Sequence, residues 1–254
     1  MQNKLTIYPV IGLPMVEAGD DIANLIIDAL KRMAFSLHEG DIVVVAQKIV
    51  SKAEGRVVKL ADVDPSPEAA ELAVEIDKDP RLVELILQES TDLVRTAPGI
   101  IIVRHRLGHV TANAGIDQSN IDHTDGECAL LLPEDPDLSA SRLRESLKNK
   151  TASEAGVIVT DSMNRPWRLG TLGYAIGSAG IAVLDDRRGQ SDIYGRKLQV
   201  TMSNRADAIA AAATLLMGET TERQPVVIVR GLPPEDSDQV ARDCIRPIAE
   251  DLFL

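Results

Sequence analysis

Cysteine is almost missing from this chain: Cys128 and Cys244 are the two in 254 residues, and neither has another cysteine or a histidine beside it at metal-ligand spacing. That argues against a disulfide scaffold and a zinc site, and the expected compartment is the reducing cytoplasm. Positive charge is also short. Counting 27 Lys and Arg against 39 Asp and Glu leaves a net charge of −12, which speaks against duplex nucleic acid as a partner, since such binders need a positive face to displace counterions. The start, Met1-Gln-Asn-Lys-Leu, has no apolar signal segment, and no run reaches the roughly 20 apolar residues of a membrane span. No membrane partner is expected. There is no Gly-x-x-x-x-Gly-Lys-Ser/Thr loop and no Gly-x-Gly-x-x-Gly after a strand, so a nucleotide site would have to be of an uncommon kind.

What is present is a large apolar inventory, 44% of the chain, enough for one large domain or two modest ones. Four runs share one form: 41–48, 99–105, 156–161 and 225–230 each open on a turn residue, carry β-branched residues without alternation, and end in a polar group. Each reads as a strand covered on both faces, with the polar ends gathered at one edge. Helices are expected over 20–34, after Ser66-Pro67, after Asp79-Pro80, and over roughly 137–148; the Ser-Pro and Asp-Pro pairs put an N-cap before a proline at the first helical position. The stretch 204–217, small and apolar on every side, reads as a buried helix with Gly218 just past its end. Residues 133–140 read as a surface connector. The architecture expected is α+β or mixed α/β, with two interleaved lobes.

Chemistry concentrates in Gly156–Gly170, where an apolar strand delivers Asp161, Ser162 and Asn164, followed at once by Arg165 and Arg168. Hard divalent cations take carboxylate, hydroxyl and carbonyl oxygens, and guanidinium groups fork onto phosphate or carboxylate. A capped turn would use the same residues. Asn113–Asn120 adds Asp117 and Asn120 after Gly115, again either metal-facing oxygens or a turn. In Ala46–Gly55, Lys48 and Lys52 would share a helix face beside Gln47 at a strand end, a common ligand position in open α/β sheets. Ile11, Gly12, Leu13 and Pro14 offer either backbone N–H groups to a nucleotide or a plain bend. Between Asp161 and Lys197, six Arg or Lys face four Asp, a locally basic stretch suited to a small anion or to exposed ion pairs. Trp167, Tyr174 and Tyr194, three of the six aromatic residues, fall in that stretch, ready to stack on a heterocycle or to pack in the core. His105 and His109 flank Leu107-Gly108 and suggest a hairpin turn more than a ligand pair.

Taken in order, Gln47–Gly55, Asn113–Asn120, Val159–Ser162, Ala175–Gly180, Asp192–Arg196, Leu215–Glu219 and Pro225–Gly231 resemble the coenzyme F420-0:γ-glutamyl ligase family over nearly the whole chain. Residues 1–254 then form a single ligase unit of two interleaved subdomains, with a fold peculiar to the family and an intertwined homodimer. The resemblance implies GTP-dependent ligation of L-glutamate to the lactyl carboxylate of coenzyme F420-0, followed by further γ-linked glutamates. It also implies two divalent cations, Mn2+ or Mg2+, and one K+. By position, Asp117, Asp161, Ser162 and Glu219 would hold metal. Ile11 to Pro14, Gln47, Lys48, Lys52, Asn120 and the loop of Met217, Gly218, Glu219, Thr220, Thr221, Glu222, Arg223 and Gln224 would touch GTP. Thr220–Gln224 is less glycine-rich than that loop usually is in the family.

The chemistry expected is attack of the carboxylate on the γ-phosphate, then displacement of the acyl phosphate by the glutamate amine. Lys48, Lys52, Arg165 and Arg168 would stabilise charge on the transferring group. Two other readings use the same residues: a metal-dependent phosphohydrolase indifferent to glutamate, and a GTP sensor with no turnover.

Overall fold

The computed structural model describes residues 4–233 and 237–251. Along the chain come β1 (Thr6–Pro9), α1 (Ile22–Arg32), β2 (Ile42–Ala46), α2 (Gln47–Ala53), β3 (Val57–Lys59), α3 (Pro67–Ile76), α4 (Pro80–Gln88), β4 (Ser90–Ala97), β5 (Ile100–His105), β6 (Val110–Ala112) and β7 (Cys128–Leu130). Then follow α5 (Pro136–Thr151), β8 (Gly156–Met163), β9 (Leu172–Ala179), β10 (Leu184–Asp186), β11 (Met202–Asn204), α6 (Arg205–Met217) and β12 (Val226–Arg230). The mixture of helix and sheet is the α+β class expected.

The central sheet runs β1-β12-β2-β8-β9. Only β2 and β8 are parallel; β12 and β9 flank them antiparallel, and β1 is antiparallel to β12. Side chains alternate across the pleat. Val43, Val45, Val157, Val159 and Ile228 face one core with Ile26 and Leu30 of α1 and Leu143 and Leu147 of α5. Ile42, Val44, Ile158, Val227 and Val229 face a second core with Ala206, Ile209, Ala210 and Ala213 of α6. A continuous apolar run therefore makes sense in β2, β8 and β12, which are covered on both faces. Two glycines of β9 set how closely the helices approach. A Cβ on Gly173 would lie 2.6 Å from the Ala210 carbonyl oxygen, and one on Gly177 would run into the Pro136 carbonyl.

The fourth apolar run behaves differently. Instead of joining the central sheet, β5 pairs antiparallel with β4 and β6 in a separate three-stranded sheet, because its two neighbours in sequence satisfy its backbone first. It helps build a third core with Leu60, Ala73, Ile76, Val83, Ile86 and Leu131. Its polar end is buried rather than presented: His105, fully buried, faces Glu89 at 3.2 Å. The His105 Nδ1 accepts the Leu107 N–H at 3.0 Å, which leaves the ring proton on Nε2 to be donated to Glu89. The turn between His105 and His109 is thus the hairpin expected.

Two further expectations change. Residues 133–140 are a helix start rather than a surface connector: Asp135 caps α5 by accepting the Leu138 N–H, Pro136 takes the first turn, and Pro136, Asp137 and Ala140 are buried. This is the same cap-proline grammar that Ser66-Pro67 and Asp79-Pro80 use. Helix α6, capped by Asn204, buries one side only; Leu215 is 82% exposed. Trp167 and Tyr194 are also at the surface, at 86% and 90% exposure, so core packing does not account for them.

Candidate active site at one edge of the central sheet

Strand direction decides what meets at the edge. Ala46 pairs with Thr160 in the parallel register, so the β2–β8 ladder ends there and leaves Gln47 and Asp161 side by side, β8 running on to Met163 against β9 alone. Because β12 is antiparallel, its entry lies at the same edge: Ala46 N–H donates to the Pro225 carbonyl at 2.8 Å, which brings in the 218–225 loop from α6. Val10 N–H donates to the Val226 carbonyl at 2.8 Å, so Ile11–Pro14 also leaves β1 there. Leu172 pairs with Met163, so the exposed 164–171 turn carrying Arg165 and Arg168 joins β8 to β9 beyond that edge. A register shift between Val159 and Thr160 interrupts the β8–β9 ladder just before Asp161, the kind of irregularity that re-aims side chains near sites.

From the smaller sheet region comes the loop after β6. It is tied down by the Asp117–Leu130 bridge and stapled by His123, whose Nδ1 accepts the Cys128 N–H at 3.1 Å and whose Nε2 lies 2.8 Å from the Gln118 carbonyl. Sequence reading passed over His123, which has no motif around it; its role shows only in the folded loop. Lys48 pairs with the Asp117 carboxylate and donates to the Ser119 hydroxyl at 2.7 Å and carbonyl at 3.1 Å. One turn on, Lys52 donates to the Asn120 carbonyl at 2.6 Å. Asn120 in turn donates to the Thr220 carbonyl at 3.3 Å, and Ser162 donates to Glu219 at 2.7 Å. Gln47, Lys48, Lys52, Asp117, Asn120, Asp161, Ser162, Glu219 and Thr220 therefore gather in one cluster, joined by these bonds and by the chain neighbours Gln47–Lys48, Ser119–Asn120, Asp161–Ser162 and Glu219–Thr220.

The four residues expected to hold metal divide into two pairs. Asp161 lies on the Val159 and Met163 side of β8 and is coupled to Asp117, Lys48 and Gln47. Ser162 lies on the other side, bonded to Glu219 beyond α6. Among the described residues no three His, Cys, Asp or Glu side chains are grouped closely enough to hold an ion. Both pairs nevertheless offer the hard oxygens that Mg2+ and Mn2+ take. Burial, reinforced by the Asp117 charge, pushes Asp161 up to about 7 against the pull of the Ser162 N–H, Lys48 and Gln47. Burial alone would raise Asp117 too, yet Lys48 and Ser119 hold it below the usual range. Burial, with Lys48 next to it, lowers Lys52. The site carries more negative charge than its own lysines neutralise, which is a fit to a divalent cation.

Other expected contributors sit at the edge without joining the bonded cluster. Gly12 gives its carbonyl to Arg32 at 2.8 Å, while Ile11 is exposed. Arg165 and Arg168 are exposed, with no hydrogen bond or ion pair to the cluster. Met217 buries its side chain in the α6 core. Glu222 turns back onto the Thr220 N–H at 2.8 Å over Gly218, and Thr221, Arg223 and Gln224 complete the loop.

No helix among the described residues is long and apolar enough to cross a membrane. Known proteins resemble the chain over nearly its whole length. The Coenzyme F420:L-glutamate ligase of Methanothermobacter thermautotrophicus is 46% identical over 251 residues, covering 98% of each chain. That of Methanopyrus kandleri is 44% identical over 253 residues, covering 98% of this chain and 97% of its own. That of Archaeoglobus fulgidus is 42% identical over 230 residues, covering 90% and 88%. The profile of the family described as F420-0:Gamma-glutamyl ligase matches residues 10–231, which takes in every segment gathered at the sheet edge, and the chain belongs to that family.

Proposed function

We propose that this protein is a carbon–nitrogen ligase of coenzyme F420 biosynthesis, joining L-glutamate to the carboxylate of coenzyme F420-0 at the expense of GTP, and extending the product by further γ-linked glutamates. The observation that carries the reading is the connected cluster of lysines, carboxylates and amides at one sheet edge, in a chain matched almost end to end by ligase relatives.

In this reading an acceptor carboxylate oxygen attacks the γ-phosphorus, the bond to the GDP oxygen breaks, and an acyl phosphate results. The glutamate amine then attacks the acyl carbon, loses a proton, and expels inorganic phosphate. Asp117 and Asp161 would hold one divalent cation, with Ser162 and Glu219 completing the set for a second, and K+ as a further ion. Bound there, the ions neutralise phosphate charge, worth several kcal/mol in such reactions. Lys48 and Lys52, one turn apart on α2, present ammonium groups to the transferring phosphate, while Gln47 orients Asp161 by hydrogen bond. Asn120 and the Thr220–Gln224 loop, joined by the Asn120–Thr220 hydrogen bond, would line the nucleotide site. Arg165 and Arg168 meet a carboxylate or phosphate when the 164–171 turn folds in. Preordering of the reactants supplies roughly 7–11 kcal/mol in favourable cases.

A second copy of the chain belongs to this reading. Leu169, Ile193, Tyr194, Val200 and Leu215 each stand more than 80% exposed, an apolar set suited to burial between subunits. The reading places the enzyme in the cytoplasm, where its free thiols Cys128 and Cys244 stay reduced.

The test is mass spectrometry of coenzyme F420-0 incubated with the protein, GTP, glutamate and Mn2+. Successive additions of glutamyl mass, with GDP release that requires both acceptor and glutamate, are expected. GTP hydrolysis indifferent to both would replace the ligase by a phosphohydrolase, and tight GTP binding without turnover would make it a sensor.

A further inference from the structure

Among the described residues, one ion pair reaches any of the three carboxylates Asp117, Asp161 and Glu219: the pair from Lys48. All three protons of that ammonium have takers, the Asp117 carboxylate, the Ser119 hydroxyl and the Ser119 carbonyl. Asp117 is satisfied from the same quarter, because Ser119 N–H donates to its Oδ1 at 2.7 Å and Ser119 Oγ to its Oδ2 at 3.0 Å. Lys52 does not share this work, being held by the Asn120 carbonyl at 2.6 Å. The only fixed positive charge on the acidic site is therefore a side chain already seated where a cation would sit.

We propose that Lys48 is an internal counter-ion that a divalent cation displaces from Asp117, so that metal entry is what frees its ammonium for the anionic substrate. The inference rests on the reading of Asp117 and Asp161 as metal ligands. An ammonium and a divalent ion at contact distance from one carboxylate repel each other, so the two occupy Asp117 alternately. A lysine is suited to the exchange: its charge is compact and its stem flexible, and leaving Asp117 costs it no fixed bidentate geometry. The consequence is an order of binding. Before metal arrives Lys48 is engaged by Asp117 and unavailable to phosphate; afterwards metal and ammonium both face the anion.

Two measurements with Mn2+ alone, without nucleotide or acceptor, test this. The first is acetylation of lysines on the wild-type protein, read by peptide mass spectrometry with and without saturating Mn2+. Lys48 should react several-fold faster with the ion bound, while Lys150, paired with Asp21 and Asn24 elsewhere, stays constant. The second is calorimetric Mn2+ binding. Lys48→Met, which keeps the stem and removes the competing charge, should bind Mn2+ about tenfold or more tighter, the scale of one screened charge contact. Unchanged or slower Lys48 acetylation under saturating Mn2+, or unchanged or weaker binding by Lys48→Met, overturns the proposal. Asp161→Asn separates the two levels: if wild type binds no Mn2+, or binds it no better than Asp161→Asn, the metal site itself fails and the counter-ion role falls with it.

Discussion

Asp161→Asn should make the metal-free protein more stable at alkaline pH while abolishing its response to metal. Burial next to Asp117 raises Asp161 from 3.8 to about 7. A carboxyl whose folded value is raised contributes fully to stability below its unfolded value, and that contribution is lost as pH rises through the folded value. The wild-type protein in chelator should therefore lose stability between about pH 4 and pH 8 through this group. A gap of roughly 3 units corresponds to about 4 kcal/mol at 1.4 kcal/mol per unit; the edge that Asp161 keeps to solvent brings the expectation nearer to about 2 kcal/mol. Asparagine keeps the shape and cannot ionise, so its urea-unfolding free energy in chelator at pH 8 should exceed that of wild type by about that amount, with the difference fading at pH 5. Added Mn2+ should raise the melting temperature of wild type and leave the variant where it was. Equal stability of the two proteins at pH 8 without metal, or an undiminished Mn2+ shift in the variant, would refute the picture of an uncompensated carboxylate.

At the acid end, Glu89 governs. Burial would raise it, but His105, Arg56 and Arg106 draw it down to about 2, so its contribution is present above about pH 4.5 and lost as pH falls. Glu89→Gln should cost about 3 kcal/mol at pH 7 and progressively less toward pH 3; unfolding curves that stay equally separated across that range would show that the charge is irrelevant. Gly177→Ala, forced against the Pro136 carbonyl, should lose about 1–3 kcal/mol in denaturant unfolding through overpacking, and a neutral result would mean that α5 can retreat from β9. Ile193→Asp, at a residue 91% exposed, should leave the monomer folded by circular dichroism but shift sedimentation from dimer toward monomer; an unchanged sedimentation profile would place the subunit contact elsewhere.

The sequence showed most of what local physics controls. Ser66 and Asp79 cap helices where the turn chemistry said they would, and the β-branched runs of β2, β8 and β12 are buried on both faces. Asp135-Pro136 carried the same cap-proline signal and was hidden by the second proline and acidic residues before it, which look like a loop. What stayed illegible was pairing. The run that became β5 has the composition of a central strand, and nothing in its residues says that β4 and β6 would claim it. The exposed aromatics had the same difficulty, since Trp167 and Tyr194 carry no mark of whether a surface or a core receives them.

At the site, the sequence named donors and the strand directions assembled them. With β12 parallel to β2 instead of antiparallel, the α6 end and Glu219 would lie at the opposite edge of the sheet from Asp161, and no choice of side chain would repair that. The mixed pairing, parallel at the centre and antiparallel on both flanks, brings strand exits and strand entries to one edge, where a helix start, a helix-end loop and a hairpin turn can all contribute. It also explains why the acidic residues divide between the two sides of β8. Adjacent positions on a strand point oppositely, so Asp161 and Ser162 reach different neighbours, Asp117 through Lys48 on one side and Glu219 on the other. In the proposed reading, two half-sites one residue apart on a single strand would let two cations approach one phosphate group from different sides.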